Sequence, residues 1–447
     1  MSKKLNHYNR FQFMKPLFYF IILISFLLFN SSCSKNDDDS FTIIETQLEY
    51  IILTGDISNE DATATIEKAV GDGTFAILVK NTSNLTAVEI PNVAAIYSLE
   101  IQNNKALESI TLPDLEEAVN TINIKNNPLL SSIQIPKLAY AENLQLEYNP
   151  LLNSFESPLL KHCNNLTIEG HGNLKSITLN ELNTVSTFQI ETLPSLTDIS
   201  LPNLSTATTV VINDNDNLKN IVLSSIIELS SLNIEYNEEL ETILMPRVSS
   251  VNTLHILYNP KVSQLSFPEL VLNEGLGVEI SYLESLKTLE LPKLQSVSKD
   301  LLITNNPLLE NVSLSQLNIA EDIQVNHCDL ITTINLPSLE SVDTLIIVGA
   351  ILESVNVEKL SDVAQLFMYS EIELQTLHLP AIQNFERMDL NNGSLATELI
   401  DSLLSTIVNI TPAITGKNIA LKGTASSQAL LDIETLNANG NSVSILN

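Results

Sequence analysis

The amino-acid sequence predicts a mainly β fold: a right-handed parallel β solenoid of about fifteen coils of ~22 residues, with small α/β caps at both ends. Three observations predict it. A register of apolar residues recurs at a fixed period along residues 77–394, and prolines gather at two positions of that register. Within the register no stretch of helical length is free of Pro, Asn and β-branched residues, which disfavours a helical solenoid.

The chain opens with Lys3, Lys4, Arg10 and Lys15 ahead of an apolar run, Leu17–Phe29. That run is shorter than the ~20 residues needed to cross a bilayer, so residues 1–32 read as a signal peptide. Ser32 precedes Cys33, and the acidic stretch SKNDDDS, beginning at Ser34, follows it immediately. The segment resembles a bacterial lipoprotein signal, which implies lipidation of Cys33 as the first residue of the mature chain. The Asp37–Asp39 run resembles the export signal of Bacteroidetes-type surface lipoproteins. That resemblance implies an outer-membrane protein, lipid-anchored and facing outside the cell, with residues 33–47 as an acidic tether.

An N-terminal cap is expected over residues 48–76, because the end of a solenoid exposes unpaired strand edges and bare core. Leu48–Leu53 reads as a strand. Glu60–Val70 reads as a helix, with Asn59 as its cap and Gly71-Asp72-Gly73 as its stop.

The repeat follows over residues 77–394. Taking the first apolar residue of each unit as position one, copies begin at Ile77, Leu99, Ile122, Leu144, Leu166, Phe188, Val210, Leu232, Leu254, Val278, Leu301, Ile323, Leu345, Leu366 and Met388. Ten of the fourteen intervals are 22 residues, and positions one and three are apolar in every copy. Positions two and four are mostly polar, the alternation of a strand with one buried face. Asparagine recurs at position six (Asn104, Asn127, Asn149, Asn215, Asn237, Asn259, Asn306), often followed by proline, which marks a turn where the amide bonds backbone of the neighbouring coil. A second short strand closes on proline in ten copies, and a third apolar side completes the coil.

After Met388 the repeat dissolves into a C-terminal α/β cap, residues 395–447. Ser394 is expected to cap an amphipathic helix carrying Leu395, Leu399, Leu403 and Ile407. A strand at Asn418–Leu421, a second helix ending at Gly440 and a final strand at Val443–Leu446 follow.

Composition limits the partners. The net charge is −31 over 447 residues, and residues 1–32 carry four bases and no acid, so the remainder is more acidic still. Such a surface repels nucleic acid and anionic headgroups and favours cations or basic groups. Any contact with membrane is expected only through the lipid anchor. Cys163 and Cys328 lie eight coils apart, roughly 40 Å, far beyond the ~7 Å of a disulfide. Cys328 falls at the asparagine position and reads as a small buried filler.

The core pattern, seen in LLITNNPLLENVSLSQL at Leu301–Leu317 and LQLEYNPLLNSFESPLL at Leu144–Leu160, resembles the receptor L-domain, a leucine-rich-repeat-like solenoid. The resemblance covers roughly Ile77–Asn392 and implies a general role in extracellular recognition or wall organisation. The chain departs from ordinary leucine-rich repeats, because the apolar residue after Asn comes three positions later instead of two. It also lacks the disulfide-rich modules that accompany receptor L-domains, and the family supplies no catalytic residue.

The outward side of strand one carries the candidate site. At position four, Glu147, Glu169, Glu191, Asn213 and Glu235 follow one another, and each adjacent carboxylate pair repels by about 0.8 kcal/mol even in water. At position five the sequence places Tyr148, Asp214, Tyr236, Tyr258 and Tyr282. Three readings follow: a solvated acidic face, a binding strip for an extracellular protein or glycan, or a Glu row bridged by Ca²⁺. The expectation is a non-catalytic surface protein with no required cofactor. The alternatives are a polysaccharide-active β-helix enzyme using Glu147–Glu235 and a purely structural envelope spacer. Against catalysis, Arg247 and Arg387 are both expected in the far turns of their coils. Towards the C-terminus, Leu302, Ile346, Val348 and Phe367 make the face apolar, and the cap is expected to cover them.

Overall fold

One coil explains the rest. In the computed structural model, which describes residues 49–446 except Asp72 and Ala350, the strand Glu117–Lys125 buries Ile122 and Ile124 and turns Asn123 and Lys125 outward. The chain then bends at Asn127-Pro128, where Leu130 N donates to Asn127 O at 3.1 Å. Proline at the second position of that turn fixes its φ without giving up a needed N–H. The short strand Ser132–Gln134 points Ile133 inward, and Leu138 N closes a second turn on Ile135 O at 3.3 Å, again with proline second. Leu138 and Ala141 line the third side, and the next coil begins.

Neighbouring coils stack parallel and in register. Every one of the fifteen repeat starts lies on a strand of one long sheet, each paired with its counterpart in the adjacent coil: Ile77 with Leu99, Leu99 with Ile122, and so on to Leu366 with Met388. The row continues beyond the repeat. Ile51 pairs with Ile77 before it, and Ile419 and Val443 follow Met388. The sheet therefore has eighteen rungs. It counts 19 strands because one rung is split into Leu272–Asn273 and Gly277–Ser281. At about 4.8 Å per rung the ladder runs roughly 80 Å. The short strands form four separate small sheets on a second side.

A column of buried amides ties the coils together. Asn127 Oδ1 accepts from Asn104 N at 3.1 Å, and Asn127 Nδ2 donates to Ile101 O and to Asn149 Oδ1. The same pattern links Asn215, Asn237 and Asn259. His171 continues the first run through Nδ1, which faces Asn149 N at 3.2 Å, and its Nε2 is buried. Cys328 Sγ sits 3.6 Å from Ile303 O in the same column, so it fills the asparagine place as expected. Both Cys163 and Cys328 are free and buried.

The ends differ from the middle. Helix α1 (Asn59–Ala69) and, after Met388, helices α2 (Thr397–Val408) and α3 (Ser427–Ala438) replace the short strand of their coils. Each lays an apolar stripe on the core, Ala62 and Ile66 in α1, and Leu399, Ile400, Leu403, Leu404 and Ile407 in α2. The caps thus extend the ladder by three rungs. Elsewhere the coils are strand–strand–turn, a β-helix topology and not the strand–helix topology of an ordinary leucine-rich repeat. Helix boundaries also shift. Ser58, not Asn59, caps α1 by accepting from Asp61 N at 3.1 Å. Ser394 caps nothing, because the strand Asn384–Leu395 runs through it and α2 begins without a side-chain cap. The expected signal peptide, the expected lipidation site Cys33 and the expected tether fall on residues outside those described.

Candidate functional site

The outward face of the long sheet brings most of the expected residues together. Glu147, Glu169 and Glu191 pair directly across consecutive strands, and Asn213 and Glu235 follow in the same row. Glu191 accepts from Gln189 Nε2 at 3.0 Å, and Glu169 accepts from the Tyr148 hydroxyl. That bond and the charge of Glu169 raise the Tyr148 hydroxyl above its usual pKa. Among the described residues no group of three or more His, Cys, Asp or Glu is arranged to hold a metal ion.

Position five has a backbone reason for its sequence. There the chain leaves strand one through the left-handed region: Asn81, Asn103, Asn126, Tyr148, Thr192, Asp214, Tyr236, Tyr258, Tyr282, Asn305 and His327 all have φ between 51° and 59°. Asparagine, aspartate and glycine tolerate this conformation, and Gly170 takes it in its own coil. Tyrosine does not favour it. The recurrence of Asn, Asp and Gly at position five was the available sequence signal for the turn.

Three of the tyrosines form a column. Tyr236 and Tyr258 stack with centroids 4.6 Å apart and planes 6° apart, and Tyr258 and Tyr282 at 4.3 Å and 11°. They remain 47%, 36% and 40% exposed. Holding three tyrosines left-handed costs roughly 1–2 kcal/mol each, whereas each stacked pair contributes about 0.5–1.5 kcal/mol. Stacking alone does not offset the strain. Because the rings cover one another's faces, the column offers ring edges, a row of hydroxyls and an open face only at its ends. Tyr148 stands apart, its ring over Gly170, where an added Cβ would lie 2.5 Å from Tyr148 Cδ1.

Beside the column sit further titratable groups. His255 pairs across the sheet with Glu279, and both act on Glu235 together with Asp214. Partial burial raises the Glu235 carboxyl above the usual carboxylate range; His255 opposes the shift, and Glu279 and Asp214 add to it. Long-range placement of His255 beside Glu235 depends on the coil stacking and left no local trace.

Two expectations about this face change. Arg387 is not in a far turn: its guanidinium lies 5.3 Å over the Phe367 ring and donates to Asp389 Oδ2 at 2.8 Å. It is still seven rungs from Glu235, roughly 34 Å. The cap does not cover Leu302, Ile346, Val348 and Phe367 either, since its strands continue the ladder instead of folding back across the face, and these side chains stay partly exposed.

No known family profile matches the chain, and no curated protein does. Among solved structures, the chain is similar to a leucine-rich repeat protein from Bacteroides ovatus, at 14% identity over 60% of this chain and 86% of that one, with a TM-score of 0.21. It is also similar to the pneumococcal vaccine antigen PcpA, at 13% identity over 90% of each chain, with a TM-score of 0.19. The class defined by the coordinates themselves is a parallel β solenoid with small helical caps.

Proposed function

We propose that the protein is a carbohydrate-active β solenoid that engages an extended polysaccharide along the strand-one face. The observation that supports this reading most is the exposed tyrosine column, held in a strained backbone conformation on the same face as a row of carboxylates that repeats at the coil spacing two rungs nearer the N-terminus. A linear polymer matches a straight, periodic surface better than an irregular folded partner does. Strand–strand–turn coils are also the architecture of polysaccharide lyases and hydrolases, a fold-level analogy. The receptor L-domain likeness, the Cys33 anchor and the outer-surface location belong to the same reading, which sets the face towards the cell's surroundings.

A second reading, cleavage of the bound polymer, is favoured by one group. Burial, with Glu279 and Asp214 nearby, shifts Glu235 towards the protonated form against the opposing effect of His255, the direction a general acid requires. The missing partner is a nearby Arg or Lys. Incubating the full chain with a panel of polysaccharides, and measuring both retention and new chain ends, tests the two readings together. Retention without new ends indicates binding alone, and new ends lost in Glu235→Gln indicate catalysis. Neither retention nor new ends on any polymer would leave only the envelope spacer.

A further inference from the structure

We infer that the polymer is a cationic glycan, one whose repeating units carry free amino groups, seated on the stretch of the strand-one face from Leu144 to Tyr282. This rests on the glycan reading above and narrows it to one chemical class. The stretch spans seven rungs, roughly 30 Å.

The argument is charge complementarity on an unpartnered sheet face that already carries an aromatic column. At the outward positions two, four and five of those seven coils stand Glu147, Glu169, Glu191, Asp214, Glu235 and Glu279, with His255 and no Lys or Arg. Elsewhere a minority of the acids is ion-paired: Lys80 with Glu100 on the same face nearer the N-terminus, and Lys137, Lys261, Lys293 and Lys299 each with an acid of a neighbouring coil, while Lys125 stands across the ladder from Glu147 at the edge of the stretch. None of the six is in an ion pair among the described residues.

The face therefore repels uronic-acid and sulfated polymers, and a neutral polymer would leave its charge uncompensated. Amino groups repeating along a glycan can each meet a carboxylate, while sugar rings pack on the edges and open end faces of the tyrosine column. Gln145, Thr167, Gln189 and Asn233 at position two supply neutral polar contacts to ring hydroxyls.

The test uses the full chain and two forms of one polymer, β-1,4-linked glucosamine with free amines and the same chains after N-acetylation, with a neutral β-glucan, alginate and polylysine beside them. Binding is measured at mildly acidic pH over a salt series. The expected result is binding to the free-amine form at least about tenfold tighter than to the acetylated form. The preference should weaken with salt and be lost in the combined variant Glu147→Gln, Glu169→Gln and Glu191→Gln. The control variant Glu156→Gln, Glu181→Gln and Glu241→Gln, off this face, should bind as the wild type does.

Equal binding to both forms, or to the β-glucan, would overturn the inference and leave the glycan reading standing. Binding to no glycan would remove both. Equal loss in the off-face variant would reduce the effect to net charge and overturn the assignment. Polylysine binding as tightly as the free-amine polymer, through the same carboxylates and without dependence on Tyr258, would replace the glycan by a basic polypeptide.

Discussion

Replacing Asn237 with alanine removes a central link of the amide column. Its Oδ1 accepts from Asn215 N and Asn215 Nδ2 at 3.2 and 3.1 Å, and its Nδ2 donates to Ile212 O, Glu235 O and Asn259 Oδ1 at 3.0, 2.9 and 3.1 Å. The variant leaves at least two fully buried backbone groups, Asn215 N–H and Ile212 C=O, without these partners. At about 1–3 kcal/mol for each buried group left unsatisfied, the cost is about 2–6 kcal/mol. Asn217 is the control, because it is exposed and makes one bond, Nδ2 to Pro194 O, so Asn217→Ala should cost under about 1 kcal/mol. Urea unfolding gives the magnitude, and amide hydrogen exchange locates it. In a solenoid each coil touches only its neighbours, so faster exchange should centre on the rungs carrying Asn215, Asn237 and Asn259. A loss below about 1 kcal/mol with unchanged exchange in those rungs would refute the view that the amide column couples the coils.

Three further outcomes follow from single sites. Burial holds His171 below its ordinary pKa, so the unfolded chain takes up that proton first. The His171 contribution is fully present above about pH 6.5 and is lost as pH falls from there through the folded value. His171→Asn, which restores the amide, should flatten the stability profile as pH falls below about 6.5, and an unchanged slope would contradict this. Burial also pushes the Cys163 thiol up to about 12 and the Cys328 thiol to about 11, so neither should react with a thiol reagent at neutral pH until the chain is unfolded. Rapid labelling of the native protein would show that these coils open. Gly277 has φ +113°, and an added Cβ would lie 2.4 Å from Asp300 O, so Gly277→Ala should lower Tm with a cost of about 1–3 kcal/mol; an unchanged Tm would place the strain elsewhere.

Much of the fold is legible in the sequence because a solenoid repeats one local rule. Ile77 to Met388 predict fifteen starts, and each lands on the row of the long sheet, since a one-residue slip would turn its apolar set to solvent. What the local rule does not reach is the ends. Thr397–Val408 and Ser427–Ala438 replace short strands with helices yet carry the ladder onward, and nothing in the period of the repeat announces that Ile51, Ile419 and Val443 belong to the same row. The candidate face shows the same division. Glu147, Glu169 and Glu191 are aligned by period alone, and so are Tyr236, Tyr258 and Tyr282. The approach of His255 and Glu279 to Glu235, and of Arg387 to Phe367, is set by side-chain direction between coils and requires coordinates. The left-handed turn at position five lies between these cases, written in Asn103, Asn126, Gly170 and Asp214 but masked by the tyrosines among them.

The absence of tryptophan makes one measurement direct. The chain has ten tyrosines and no Trp, so its intrinsic emission comes from tyrosine, with Tyr236, Tyr258 and Tyr282 stacked on the proposed face. Titrating the full chain with polysaccharide while following tyrosine fluorescence tests whether that face engages a glycan. The account predicts a saturable change with at least one polymer, abolished in Tyr258→Ala with its circular dichroism unaltered. A polymer that binds by an independent assay, yet leaves both the emission and the Tyr258→Ala affinity unchanged, would contradict it.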